Sequence, residues 1–529
     1  MRYRNGGKCV IGEASSGILR ETIDEKQDFG IYLIIVFLIV FDAIIFAVAY
    51  WGLKTYNLNL APTVYSIFGN NEGMNTGIIK EAFLFCLPFI VGSALIAVAV
   101  VVCDRIWAKS SEKNGENSGT KIRAMRITSC VLAIMLFFGN MAYVSVGYGV
   151  YDFVSVKLQK TDIYQNEYID PRNVKIEAEN KRNVIVIYLE SMETSAASKE
   201  EGGFCKDNYI PNLTRLAAEN VSFSDKAYFP DSDKQLLGGV TQLNATNWTM
   251  ATLFATSTGL PWAFKIGEDF EDGFAEGAYG MGDFLQEQDY NLEFLCGSDI
   301  KFAGRDKFFK SHGDYVIYDY NTAVERRVVN KDDFKWWGFD DKTLYDIAKN
   351  EIGELANKDE PFNFTMLTVD THPIGGYECE HCPKIYDNKT ANVIACADAL
   401  LNEFIEWVQA QDFYKNTTIV IIGDHLRSDT CIFEGVAQSD RRVYNCFINP
   451  AMSVDNDAKY NRIFTSLDLF PTILASMGYK IEGNRLGLGV NLFSGEQTLA
   501  EKMTFDALNK ETEKRSEYFI KTFCRTYSK

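Results

Sequence analysis

The sequence predicts an α/β domain built on a largely parallel central sheet and preceded by an N-terminal helical transmembrane region. Three observations predict it. Apolar runs at about 31–53, 82–103 and 127–150 are each close to the ~20 residues needed to cross a bilayer. Further on, the β-branched runs 183–189, 362–369 and 418–422 have the unbroken apolar character of strands buried on both faces. Amphipathic helical patterns separate these runs, and strands alternating with helices imply a parallel sheet.

Residues 1–29 carry Arg2, Arg4, Lys8 and Arg20 and read as a cytoplasmic N-terminus. The three spans fill 30–150, and the apolar core of the first is too long for a cleaved signal peptide. Asp42 lies inside that first span, where a carboxylate must face another helix or a wet cavity. Between spans two and three stand Arg105, Lys109, Lys113, Lys121, Arg123 and Arg126, against only Lys54 and Lys80 between spans one and two. The positive-inside rule makes the basic loop cytoplasmic, so three crossings put everything after about residue 150 outside. Within that loop, 110–120 reads as a flexible connector. Residues 151–182 read as a juxtamembrane linker and 183–529 as the extracytoplasmic domain.

Residues 1–160 hold 15 basic and 12 acidic side chains, whereas the remainder holds 38 basic and 59 acidic ones. So acidic a domain argues against nucleic acid as a partner. Eight of the twelve cysteines also lie in that remainder. Cys379-Glu-His-Cys382 has zinc-like spacing, but without a second such pair a disulfide or free thiols is the preferred reading.

The first strand run ends at Glu190-Ser191, the second at Asp370-Thr-His372 and the third at Asp424-His425. Ligands of such sheets bind beyond the carboxyl ends of the strands, which would bring Glu190, His372, Asp424 and His425 to one rim. Helical patterns at 342–357, 392–411 and 465–477 supply the covering layers; the clearest places Ile394, Ala397, Leu401, Ile405 and Val408 on one face.

A further helix is expected from near Trp248 to the stop signal Gly259-Leu-Pro261. Taken alone, Asn247 or Thr249 is read as its cap. Glu190, Asp424 and His425 reverse that reading, because they suit a divalent cation, Mn²⁺, Mg²⁺ or Zn²⁺, to which the Thr249 hydroxyl adds a fourth ligand. Metal coordination favours the alkoxide and turns a poor nucleophile into an active one. Arg305 could fork onto two phosphoryl oxygens, whereas Lys301, Lys307 and Lys310 read as surface charges and His312 as structural.

These residues carry a resemblance. Val184-Ile-Val-Ile-Tyr-Leu-Glu-Ser191, Asn247-Trp-Thr249, Phe302-Ala-Gly-Arg-Asp306, Ser311-His-Gly313, Trp337-Gly-Phe-Asp-Asp-Lys342, Val369-Asp-Thr-His372 and Gly423-Asp-His425 resemble the motifs of the alkaline phosphatase/sulfatase superfamily. The branch they are most similar to is that of lipoteichoic acid synthases and phosphoglycerol transferases, over roughly residues 180–495. The resemblance implies a sulfatase-like fold, a metal held by Glu190, Thr249, Asp424 and His425, and Thr249 as catalytic nucleophile. It implies Arg305 and His372 as substrate contacts and one divalent ion, Mn²⁺ foremost. It also implies a phosphatidylglycerol donor, a glycan or polyglycerolphosphate acceptor, and a multi-pass protein of the bacterial inner membrane with its catalytic domain outside. Phosphoethanolamine transfer, hydrolysis by the same fold and a non-catalytic ectodomain are the alternatives. No Cys/Ser-x-Pro-x-Arg motif stands at the nucleophile, which disfavours sulfate ester hydrolysis. Three spans rather than five, with Ala303 and Cys296 at two motif positions, look more like phosphoglycerol transferases acting on glycans.

Overall fold

The computed structural model describes residues 34–55, 60, 63–64, 72, 77–113, 118–232, 235–266, 268, 270, 273–429 and 431–524. The basic stretch 1–29 and the start of the first span therefore lie outside the described residues. The chain divides into two compact units, Met1–Lys54 with Thr76–Val150, and Thr55–Asn75 with Tyr151–Lys529.

The first unit holds three helices long and apolar enough to cross a membrane: Ile34–Thr55, Ile79–Ile106 and Ile127–Gly147. Phe37, Leu95 and Leu136 are exposed, as expected of apolar side chains that would meet lipid rather than a protein core. Asp42 faces a neighbouring helix. Asn140 Nδ2 donates to its Oδ1 at 2.8 Å and to its backbone carbonyl at 3.0 Å, which satisfies a carboxylate at that depth. The connector read at 110–120 is helical up to Lys113 and again from Ser118, with 114–117 outside the described residues.

The second unit is organised by a six-stranded sheet. Its strands are β1 (Asn183–Leu189), β2 (Asn291–Cys296), β3 (Val316–Tyr318), β4 (Phe362–Leu367), β5 (Thr417–Gly423) and β6 (Asn445–Ile448). They lie in the order β3-β2-β4-β1-β5-β6, and only the edge pair β5–β6 is antiparallel. Residues of the central strand β1 alternate between two cores. Val184, Val186 and Tyr188 pack with Met250, Ala251 and Phe254 of the helix Thr249–Thr258. Ile185, Ile187 and Leu189 pack with Ile394, Leu401 and Ile405 of the helix Lys389–Gln409. Both faces are therefore dry, which is why these strands read as continuous apolar runs. Asn388 caps the Lys389–Gln409 helix and Asp340 caps Asp341–Ala356 through N–H groups of their first turns. The pattern at 465–477 resolves into a short 3₁₀ turn, Ser466–Asp468, followed by the helix Leu469–Ser476.

Residues 151–182, expected as a linker, are folded onto this unit. They contain the helix Ile163–Glu167 and a short strand Ile176–Glu177 paired with Lys480–Ile481. Tyr164 meets Phe519 edge-on at 5.1 Å and Tyr168 meets Phe523 at 4.7 Å. Aromatic burial outweighs the charged content that made the stretch look solvated.

Within β2, Glu293 is buried and its Oε1 has no hydrogen-bond partner among the described residues. Burial, and then the neighbouring Glu351, push its carboxyl up to about 8. The folded state thus retains a proton that the unfolded chain releases near pH ~4.5, so stability should fall as pH rises from about 5 to about 8. Denaturant unfolding of the wild-type chain at those two pH values should show this loss, of order a few kcal/mol, and Glu293→Gln should make it smaller, the remainder coming from other raised carboxyls such as Asp341 and Asp424.

Candidate active site

Strands β1 and β5 are hydrogen-bonded in register from Asn183↔Thr417 to Leu189↔Gly423, so Glu190 and Asp424 emerge side by side beyond their ends. The helix Thr249–Thr258 begins opposite them. Trp248 is its N-cap and makes no side-chain cap bond, so neither Asn247 nor Thr249 serves as the cap. Thr249 is the first helical residue, and its Oγ1 lies 3.4 Å from Glu190 Oε2 and 3.5 Å from His425 Nε2. His425 Nε2 is in turn 3.5 Å from Glu190 Oε1 and 3.4 Å from Asp424 Oδ2.

These separations test whether a cation fits. A divalent ion in a tetrahedral site with ligands about 2.1 Å away has donors roughly 3.4 Å apart. Asp424 gives the second observation. Its Oδ1 accepts N–H groups from Ser191 and His425, both at 2.7 Å, whereas its buried Oδ2 has no hydrogen-bond partner among the described residues and only the 3.4 Å approach of His425 Nε2. A buried carboxylate oxygen left bare is costly unless something positive faces it. His425 Nδ1 lies 2.9 Å from the Leu426 carbonyl, which can only accept, so this nitrogen carries a proton and Nε2 faces the cluster; burial opposes the charged ring, but Asp424 and Glu190 outweigh it and raise its pKa. Oxygen and nitrogen donors converging with one orphaned anionic atom fit a divalent metal.

The surrounding residues hold this geometry. Ser191 Oγ donates to Glu190 Oε1 at 2.6 Å, Thr368 Oγ1 accepts the Glu190 N–H at 3.0 Å, and Thr371 Oγ1 donates to the Glu190 carbonyl. Thr252, one turn beyond Thr249, donates to the Asp424 carbonyl and so fastens the helix to the end of β5. Burial, then Glu190, push the Asp424 carboxyl up to about 7. Glu190 resists the same burial because His372 and His425 hold it below the ordinary carboxylate range.

His372 joins the cluster electrostatically. Its ring stacks at a tilt on Trp337 at 4.8 Å, its Nδ1 bonds the Pro373 carbonyl at 2.6 Å, and burial keeps its pKa low against the pull of Glu190. Arg305 is committed elsewhere: its Nε donates to the Phe302 carbonyl and its Nη2 to Ser298 Oγ and the Asp299 carbonyl. Only Nη1 has no partner among the described residues, which leaves a one-nitrogen contact in place of the expected fork. His312 is structural, bonded to Asp283 and the Phe274 carbonyl at 2.8 Å each. Ser191 and Trp337 stood in the sequence motifs without a role. Thr371 likewise stood inside the Val369–His372 motif without a role, and Thr252 and Thr368 carried no signal beyond their proximity to motif residues.

Gly423 permits the close approach of β5 to the chain after β1, since a Cβ there would stand 1.9 Å from the Met192 carbonyl oxygen. Gly423→Ala should cost about 1–3 kcal/mol in unfolding free energy. By displacing Asp424 it should also weaken metal binding measured by titration calorimetry.

A family model described as Sulfatase matches residues 182–479. Curated relatives named "Phosphoglycerol transferase I" are similar to this chain. The protein from Xanthomonas campestris pv. campestris (strain B100) is 28% identical over 306 residues, covering 56% of this chain and 41% of the relative. That from Salmonella choleraesuis (strain SC-B67) is 28% identical over 337 residues, covering 61% and 40%. The chain thus spans about two fifths of the length of these relatives. Among solved structures, the lipoteichoic acid synthase LtaP from Listeria monocytogenes matches with a TM-score of 0.45 at 16% identity, covering 61% of this chain and 79% of that one.

Proposed function

The chain belongs to the Sulfatase family, and from that membership we propose that it is a membrane-anchored, metal-dependent phosphoglycerol transferase. In this reading it moves glycerophosphate from phosphatidylglycerol to a cell-envelope glycan or polyglycerolphosphate, outside the bacterial inner membrane. The catalytic domain is 183–529, and the stretch 30–150 with its three spans anchors it beside its lipid donor. Confining enzyme and donor to one surface raises their effective concentration. The observation that carries the reading is the Thr249 hydroxyl, partly exposed at a helix N-terminus and 3.4 to 3.5 Å from Glu190 and His425.

Glu190, Thr249, Asp424 and His425 would hold one divalent ion. When bound, that ion supplies Lewis-acid chemistry, favouring the alkoxide of Thr249 and neutralising phosphoryl charge. Thr249 Oγ1 gives up its proton to solvent and attacks phosphorus; the P–O bond to diacylglycerol breaks, and diacylglycerol takes a proton from solvent and leaves as an alcohol. The N–H groups of the helix's first turn would favour the transferred anion, as helix N-termini do. His372, kept neutral by burial, has its Nε2 available to take the proton of the acceptor hydroxyl. That hydroxyl attacks phosphorus, the Oγ1–P bond breaks, and Thr249 is restored. Arg305 Nη1 would contact a phosphoryl oxygen of the glycerophosphate. Mn²⁺ comes first by resemblance and Zn²⁺ is favoured by the donor spacing; reconstitution of chelated enzyme with each ion separates them.

Phosphatidylglycerol labelled in its headgroup, incubated with the purified full chain, tests the reading. Label should pass to an added glycan or polyglycerolphosphate acceptor, with diacylglycerol released in equal amount. Release of label only as free glycerophosphate would mark a hydrolase instead, and label moving only from phosphatidylethanolamine would mark the other transferase class. His372→Ala should slow the second step more than the first, so label should accumulate on the protein in single-turnover experiments.

A further inference from the structure

The loop between β4 and the helix Lys389–Gln409 contains Cys379 and Cys382, and the structure adds a third cysteine that spacing did not associate with them. Cys396, from the second turn of that helix, brings its sulfur to the same place. Cys379 Sγ is 3.5 Å from Cys382 Sγ and 3.7 Å from Cys396 Sγ, and all three sulfurs lie within 4.8 Å of one another. All three residues are buried. A bonded disulfide has its sulfurs about 2.05 Å apart. Two thiolates sharing a tetrahedral zinc at about 2.3 Å are roughly 3.8 Å apart, close to what is seen here. The Cys382 N–H also donates to the Cys379 carbonyl at 3.2 Å, closing a tight turn that aims both sulfurs the same way.

We propose that Cys379, Cys382 and Cys396 form a second metal site, selective for zinc or a cation of similar softness and separate from the Glu190–Asp424–His425 centre. Three sulfur–metal bonds form as three S–H protons are released to solvent. The fourth position goes to solvent. Thiolates prefer such ions over the oxygen-loving Mn²⁺ and Mg²⁺, so the sulfur site selects against those two by donor chemistry. The role is positional: the ion ties the segment that follows His372 to the body of the Lys389–Gln409 helix. It does not depend on the identity of the transferred group.

The test uses the full chain in detergent, reduced, stripped with a chelator and given Co²⁺ alone under anaerobic conditions. Thiolate-to-cobalt charge-transfer absorption should appear, persist in Asp424→Asn and be lost in Cys379→Ser and Cys396→Ser. Zinc should protect the same three cysteines of the wild-type chain from maleimide, read by peptide mass, which decides the matter if the serine variants fail to fold. Absence of the absorption in the wild type, its persistence in the serine variants, or alkylation unaffected by zinc would overturn the proposal. So would a disulfide joining any two of the three in chain purified without reductant.

Discussion

Thr249→Ala is expected to abolish headgroup transfer, lowering kcat by about 10⁴-fold or more, with the fold intact. The size follows from what the hydroxyl does in the proposed cycle: it is the atom that becomes bonded to phosphorus, and no neighbouring side chain can take its place. The intact fold follows from its surroundings. The Thr249 hydroxyl contacts Glu190 and His425 at the long distances of 3.4 and 3.5 Å and also lies by Asp424, so among the described residues its loss removes no short native bond. Thr249→Ser retains the oxygen and should keep measurable transfer. Circular dichroism and thermal unfolding check the fold, and lipid-label transfer checks the activity. Wild-type turnover in the alanine variant would remove Thr249 from the mechanism.

Asp424→Asn should produce two effects of opposite sign. Its carboxylate is buried beside Glu190, which with burial raises its pKa to about 7. Two anions converging without a cation repel, so neutralising one should stabilise the metal-free chain. The same change removes charge from the oxygen aimed at the ion, and metal affinity should fall by at least about 10²-fold, a loss comparable to or larger than that for an outer-shell residue. The wild type should therefore gain thermal stability from metal, whereas the variant starts higher and gains little. Unfolding scans with chelator and with added metal measure both. A variant less stable than wild type in chelator would mean that Asp424 serves a structural role without repulsion.

Much of this site could be read from the residues because the determinants are local. β1, β4 and β5 announced themselves by β-branched runs, and each strand's last residues carried the chemistry. The helix start fell within a residue of Thr249 because Gly259-Leu-Pro marks its end and apolar spacing its length. Other features depend on partners far along the chain. Ser191 donates its N–H to Asp424, and Glu190 its N–H to Thr368, across separations of 233 and 178 residues. Arg305 reads as a phosphate ligand from its type and motif, yet two nearby carbonyls and the Ser298 hydroxyl occupy its Nε and Nη2. Cys396 gave no signal, since only the packing of its helix brings it to Cys379 and Cys382. The folded state of 151–182 escaped for the same reason: Tyr164 and Tyr168 find Phe519 and Phe523 near the other end of the chain.

The account turns on a covalent bond between one threonine and a lipid headgroup. Peptide mass analysis of the full chain, quenched in acid after exposure to phosphatidylglycerol without acceptor, reads that bond directly. A glycerophosphate added to the peptide containing Thr249, and removed when acceptor is supplied, is the predicted result. Turnover with no adduct at any point, or an adduct on a different residue, would contradict it.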